Sequence, residues 1–276
     1  MKTILVPVEL HHIVQSVLET ALLLGRKFDA RIEAFALSAA SNVVAMDPVN
    51  SFTVVLREHD LETFEQSRGI FEGFMQDQNV PRGEGTDTRL SYGWVEQTAD
   101  GDDFVGSIGR VFDIIVLGRP GSGAAGPRMT TLEAALFETG RPVLLAPPTP
   151  PKTIGDNIMI AWNCSTEQAR ATALAMPLLR QARRVTICTV EGATVPGPTG
   201  EQIARYLALN GIHAESMIVA PGQRPAGMVI LMQAEAIGCD LVVKGAYTQS
   251  RLRQMIFGGT TQHIITRATL PVLLAH

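Results

Sequence analysis

The 276-residue chain is 46% hydrophobic and 18% charged, with a formal net charge of −4. That composition predicts a soluble globular protein long enough for two domains, and without a basic footprint it argues against nucleic acid as a partner. Cys164, Cys188 and Cys239 are odd in number and have no CxxC spacing, so neither a disulfide framework nor a metal centre is expected. The opening MKTILVPVEL enters an alternating apolar strand directly, and nowhere do eighteen apolar residues run together. The expected address is the cytoplasm, with no membrane partner.

In chain order, a strand at 3–8 is followed by a helix with Val14, Val17, Leu18 and Ala21 on one face, then a strand at 31–37. That is a βαβ unit, so the two strands should be parallel. A loop through Asp47-Pro48 leads to a long helix carrying Leu61, Phe64, Phe71, Phe74 and Met75 at helical spacing. This stripe reads as core rather than as a cofactor box. A strand at 88–94, a helix at 100–110, a strand at 113–117, a short helix at 131–138 stopped at Gly140 and a strand at 142–146 complete this half. Pro147-Pro148-Thr149-Pro150-Pro151 can continue neither helix nor interior strand and reads as a linker.

Beyond the linker the same order returns. Ile4 to Glu9 recurs as Ile158 to Asn163, Phe112 to Gly118 as Cys239 to Gly245, and Arg141 to Ala146 as Leu270 to Ala275. Strands are expected at 157–162, 184–190, 213–219, 240–244 and 271–275, with helices at 166–182, 200–210 and 226–237. The repeat predicts two tandem α/β domains, 1–148 and 153–276, each a doubly wound five-stranded parallel sheet. In such sheets ligands bind beyond the carboxyl ends of the strands at the switch point. The loops after the first and fourth strands of each half are therefore the candidate sites.

In the second half the strand Leu241 to Lys244 opens at Gly245, and Gly258-Gly259-Thr260-Thr261 starts a helix. Exposed amides and the positive end of a helix dipole favour an anion there; glycines let it approach, and threonines cap the helix or contact a phosphate.

These residues resemble the universal stress protein family, and ILVPVEL, IMIAWNCSTEQARATALAMPLL and SRLRQMIFGGTTQHIITRATLPVLLAH carry the likeness across both halves. The resemblance implies the five-stranded adenine-nucleotide-binding (HUP-like) fold. It also implies ATP held by a G-x2-G-x9-G-[ST] loop, with or without Mg2+. That pattern falls on Gly245, Thr248, Gly258 and Gly259, with Thr260 next, so Thr248 and Gly259 depart from it. In the first half it falls on Gly118, Gly121, Thr131 and Leu132, which keeps only the loop's opening. The family's adenine-side aspartate is Glu9 in one half and Asn163 in the other. The implied ligand-binding residues are therefore Asn163, Gly245, Thr248, Gly258, Gly259, Thr260 and Thr261, in the second domain alone. Family proteins pair through the fifth strand, which implies an intramolecular pseudo-dimer.

Other residues suggest chemistry less directly. His11 and His12 read as exposed capping residues, Cys164 as a thiol near a helix start, and Lys244 as a strand residue without Walker context. Arg251 and Arg253 read either as phosphate contacts or as a solvated loop face. No nucleophile, base and orienting acid fall into a recognisable order, so no catalytic residue is assigned. The expected function is a stress-response protein that binds an adenine nucleotide. The alternatives are a nucleotide-free scaffold for protein or apolar-ligand contacts and, more remotely, a slow ATP hydrolase.

Overall fold

The apolar runs become strands buried on both faces. The computed structural model describes residues 1–37, 50–84, 89–96, 101–121, 126–246 and 259–276, with the backbone alone over 50–61. Thr248, Arg251, Arg253 and Gly258 lie outside the described residues. The first half runs β1 (Thr3–Val8), α1 (Val14–Phe28), β2 (Arg31–Ala36), α2 (Asn50–Asp77), β3 (Ser91–Trp94), α3 (Gly101–Ile108), β4 (Ile114–Gly118), α4 (Met129–Glu138) and β5 (Val143–Ala146). The second runs β6 (Asn157–Ala161), α5 (Thr166–Leu174), α6 (Met176–Leu179), β7 (Arg184–Val190), α7 (Gly200–Leu209), β8 (Ala214–Val219), α8 (Ala226–Ala236), β9 (Leu241–Gly245), α9 (Gly259–Arg267) and β10 (Val272–Ala275).

Each half has the doubly wound order, and together they make one ten-stranded sheet, β3-β2-β1-β4-β5-β10-β9-β6-β7-β8. Neighbours pair in parallel except β5 and β10, which meet antiparallel with Leu144 opposite Leu273. Ile4, Val6, Ile158, Ile160 and Val243 bury one face of the sheet, and Leu5, Ile115, Leu117 and Val242 bury the other. A central strand buried on both sides has no place for alternation, which is why these segments read as unbroken apolar runs.

The repeated aspartate of each half clamps its own first strand. Asp113 accepts from the Lys2 and Thr3 amides, and Asp240 accepts from those of Asp156 and Asn157 at 3.0 and 2.9 Å. Burial pushes the Asp113 carboxyl up, but the two amides, the terminal ammonium and Arg141 outweigh it and hold it below the ordinary range. Phe71 packs edge-on to Tyr92 with centroids 5.8 Å apart, and Phe64 does the same to Trp94 at 5.7 Å. The aromatic stripe of α2 is core.

Two expectations change. The helix expected at 166–182 breaks at Ala175 into α5 and α6, because Pro177 has no N–H to continue the ladder and instead sits in the first turn of α6. The helix expected at 100–110 ends at Ile108 and tightens into a 3-10 turn over Gly109–Val111. Among the described residues no helix is long and apolar enough to cross a membrane.

The β5–β10 ladder makes a prediction. Residues 152–276 expressed alone expose the buried β10 edge, so the fragment should self-associate with increasing concentration in sedimentation velocity. A fragment that stays monomeric at high concentration would show that this edge needs no partner.

Candidate functional site

The second half's switch point lies between β6 and β9, and a cavity of about 200 Å³ opens there. Ala161, Val190, Ala226 and Ile230 form its apolar side, while Asn163, Glu167, Lys244, Thr260 and Thr261 supply polar groups. Of the residues expected to bind, Asn163, Gly245, Gly259, Thr260 and Thr261 line this one cavity. They come from three chain segments brought together by the parallel pairing of β6 with β9 and by the packing of α9 on α8.

Asn163 is held from behind. Asn163 Oδ1 accepts from the Ser165 hydroxyl at 2.9 Å and its amide at 3.3 Å, so the group Asn163 can offer a ligand is its amide NH2. Ser165 in turn caps α5 by accepting from the Gln168 amide at 3.2 Å. The buried Gln168 side chain then reaches β9, accepting from the Gly245 amide at 2.8 Å and donating to the Val243 carbonyl at 3.3 Å. Cys164, between Asn163 and Ser165, adopts a left-handed φ of 66°, an unfavourable conformation for a side chain with a Cβ.

The glycines do not share one purpose. A Cβ on Gly245 would stand 2.4 Å from the Gln168 amide nitrogen and 2.6 Å from the Glu167 carbonyl carbon. The start of α5, rather than an approaching phosphate, demands glycine there. A Cβ on Gly259 would meet nothing within 4 Å, so that position stays open to a side chain.

Lys244 continues the apolar face of Val242 yet ends in an ammonium, and it is only 4% exposed. Its Nζ donates to the Gly245 carbonyl at 2.9 Å. Burial lowers its pKa from the ordinary 10.5 to about 8, and the charge of Glu167 opposes that shift. Cys188 and Cys239 are pushed up to about 11 and about 12 by burial and are unreactive thiols.

The first half fills the same place with its own side chains. Arg128, at the start of α4, donates from Nε to Glu9 Oε1 at 2.8 Å. Its Nη2 lies 3.0 Å from Asp102 Oδ1, an ion pair outside hydrogen-bond geometry. The Thr131 hydroxyl stands 3.0 Å from Glu9 Oε1 and 2.7 Å from Asp102 Oδ1. Glu9, the counterpart of Asn163, is thus engaged by protein groups. His11 is half-buried rather than exposed, with its Nδ1 unpartnered, and burial lowers its pKa to about 4. It does not cap α1, whose N-cap is Ile13. A Cβ on Gly118 would meet His11 Nε2 at 2.9 Å and Pro127 Cγ at 2.5 Å, so packing of these two side chains demands glycine there.

Residues 156–276 match the universal stress protein family. The whole chain superposes on a universal stress protein from Archaeoglobus fulgidus DSM 4304 with a TM-score of 0.72 at 15% identity, covering 99% of this chain and 97% of that one. A functionally unknown protein from Pseudomonas aeruginosa PAO1 is similar with a TM-score of 0.52 at 12% identity, covering 100% and 92%. At such identities the likeness establishes the fold: two universal-stress-protein-type α/β halves in tandem. No curated protein matches in sequence.

Reading the sequence segment by segment passed over Glu167, Gln168 and the burial of Lys244. A signal existed in the repeat. Four residues beyond Glu9 and beyond Asn163 stand Ile13 and Glu167, and the residue before Gly118 and before Gly245 is Leu117 in one half and Lys244 in the other.

Two predictions follow from this geometry. Gly245→Ala should destabilise by about 1–3 kcal/mol, because backbone must move, whereas Gly259→Ala should change stability by less than about 1 kcal/mol; urea unfolding of both variants compares them. Lys244 has a folded pKa below its unfolded one, so the cost of burying its charge is complete below about pH 8 and fades as pH rises toward 10.5. Lys244→Leu should therefore stabilise the ligand-free protein at pH 7, by at most roughly 3 kcal/mol, with a gap that narrows above pH 8. Thermal unfolding across that range measures it.

Proposed function

We propose that the crevice between β6 and β9 binds an adenine nucleotide, ATP first among them, as the regulatory ligand of a cytoplasmic stress-response protein. The observation that carries this reading is the convergence of Asn163, Gly245, Gly259, Thr260 and Thr261 on one cavity. The apolar side formed by Val190, Ala226 and Ile230 suits a planar base. The Asn163 amide can donate to a ring nitrogen. The amides opening α9, with the Thr260 and Thr261 hydroxyls, suit the phosphates. The match of residues 156–276 to the universal stress protein family supports the stress-response role. Mg2+ would arrive with the phosphates, since no group of three His, Cys, Asp or Glu side chains among the described residues could hold a metal.

On this reading the repeats 1–148 and 153–276 form a pseudo-dimer through β5 and β10, and only the second repeat carries the ligand. The Glu9–Arg128–Asp102 network favours the nucleotide-free, interaction-scaffold reading for the first repeat. The role is binding rather than catalysis, because nothing on the described cavity wall pairs a nucleophile with a base.

Thr260 gives the sharpest test. Counting back eleven residues from Pro142 and from Pro271 reaches Thr131 and Thr260, and Thr131 is the residue whose hydroxyl meets Glu9. A charge-assisted hydrogen bond is worth roughly 1.5–3 kcal/mol, so Thr260→Ala should weaken ATP about tenfold or more in calorimetry and leave adenosine nearly unchanged. If Thr260 only supports the helix start, the variant instead loses about 1 kcal/mol of stability with no selective effect on ATP. No adenine ligand by mass spectrometry and no heat of ATP binding would favour the scaffold reading for both halves.

A further inference from the structure

The two halves share their fold but not the chemistry beneath the crevice. In the first half, Ile13 and Leu117 are 5% and 4% exposed and bury apolar side chains below the loops. In the second, the same repeat positions hold Glu167 and Lys244, 6% and 4% exposed, and both line the cavity. Leu117 and Lys244 each precede the glycine that ends a five-residue strand, so the first half shows that the fold accommodates an aliphatic side chain there and that the lysine's charge is not needed to build it.

Burying two charges is unfavourable unless they are well paired, and this pair is not. The Lys244 ammonium has three N–H donors and gives one to the Gly245 carbonyl at 2.9 Å. Glu167 acts on it through its field without a direct ion pair, and the two are the only ionisable side chains on the described cavity wall. An ammonium with donors to spare, sealed from bulk water on the sheet side and facing a cavity, is arranged for an anionic group that arrives with a ligand.

We infer that Lys244 is the charge-selecting residue of the second-half crevice: it contacts a phosphate oxygen of the bound ligand and so makes the site accept phosphorylated ligands in preference to their uncharged parents. Glu167, on the same cavity wall, favours the protonated form of Lys244 against the effect of burial and can accept a hydrogen bond from a ligand hydroxyl. The inference rests on the nucleotide reading for the identity of the ligand but not for the role of the lysine.

The affinity is therefore pH-dependent, with a sign set by the lysine. The anion binds the ammonium and not the amine, so affinity is full below about pH 8 and falls as pH rises above it. Glu167 is the one other ionisable side chain on the described wall; Asn163, Ser165, Thr194, Thr260 and Thr261 carry no charge in this range.

The test uses the full chain, its Lys244→Leu variant, which copies the first half's residue, and Lys244→Arg, which keeps the charge. ATP, adenosine and inorganic tripolyphosphate are the probes, titrated by calorimetry between pH 7.5 and 9.5. Lys244→Leu should lose at least tenfold for ATP and for tripolyphosphate, hold adenosine within about twofold, and abolish the decline in ATP affinity above pH 8. Lys244→Arg should retain ATP binding at pH 9.5, where the wild type has weakened. Equal ATP and tripolyphosphate affinities in wild type and Lys244→Leu would overturn the inference and leave the nucleotide reading standing. Wild-type binding of tripolyphosphate but of neither ATP nor adenosine would overturn the nucleotide reading, and its loss in Lys244→Leu would still uphold the lysine's role. No binding of any phosphate probe by the wild type overturns both.

Discussion

Strands buried on both faces leave this chain few places to put polar chemistry. Helices cover each face of the sheet, so an unpaired polar side chain in the middle of β1, β4, β6 or β9 would cost several kcal/mol. The carboxyl ends of these strands escape that constraint, because the chain there turns either toward one face or toward the other and opens a crevice at the switch point. The repeat builds this crevice twice. It also accounts for the glycine at the end of β9, where the first turn of α5 comes so close that even a methyl group collides with backbone.

What differs between the halves is how each crevice is completed. The first closes on itself: Arg128 spans Glu9 and Asp102, and His11 and Pro127 pack over Gly118. A guanidinium supplied by the protein stands in that crevice, hydrogen-bonded to Glu9 through Nε and ion-paired with Asp102. The second half keeps an amide, two threonines and a lysine around a cavity, and among the described residues none of them is hydrogen-bonded to a charged side chain. On the proposed reading, divergence of this kind leaves the ligand to the second half alone. The β5–β10 ladder joins them in one sheet, so a change at the end of β9 adjoins β10 and, through it, the first half.

The order of elements was legible in the sequence because the central strands β1, β4, β6 and β9 are nearly uninterrupted apolar runs, whereas the outer β2 and β8 mix in charged residues and were legible only from their place between helices. The repeat was legible because Asp113 and Asp240 must accept the amides at the start of β1 and β6, which holds the FDIIVLG and CDLVVKG segments to one pattern. Pro177 was legible as a residue type, yet the long apolar pattern around it masked the break between α5 and α6.

The sequence by itself determined the fold class, the tandem arrangement and five of the residues that meet in the second crevice, since periodicity and loop chemistry are local properties of the chain. Only the tertiary structure decided why Gly245 is glycine, that Glu9 is engaged by Arg128 and Thr131, and that Lys244 is buried beside Glu167. Those facts depend on distances between segments more than seventy residues apart, and burial, which sets the cost of a charge and the pKa of a lysine, is defined only once those segments pack.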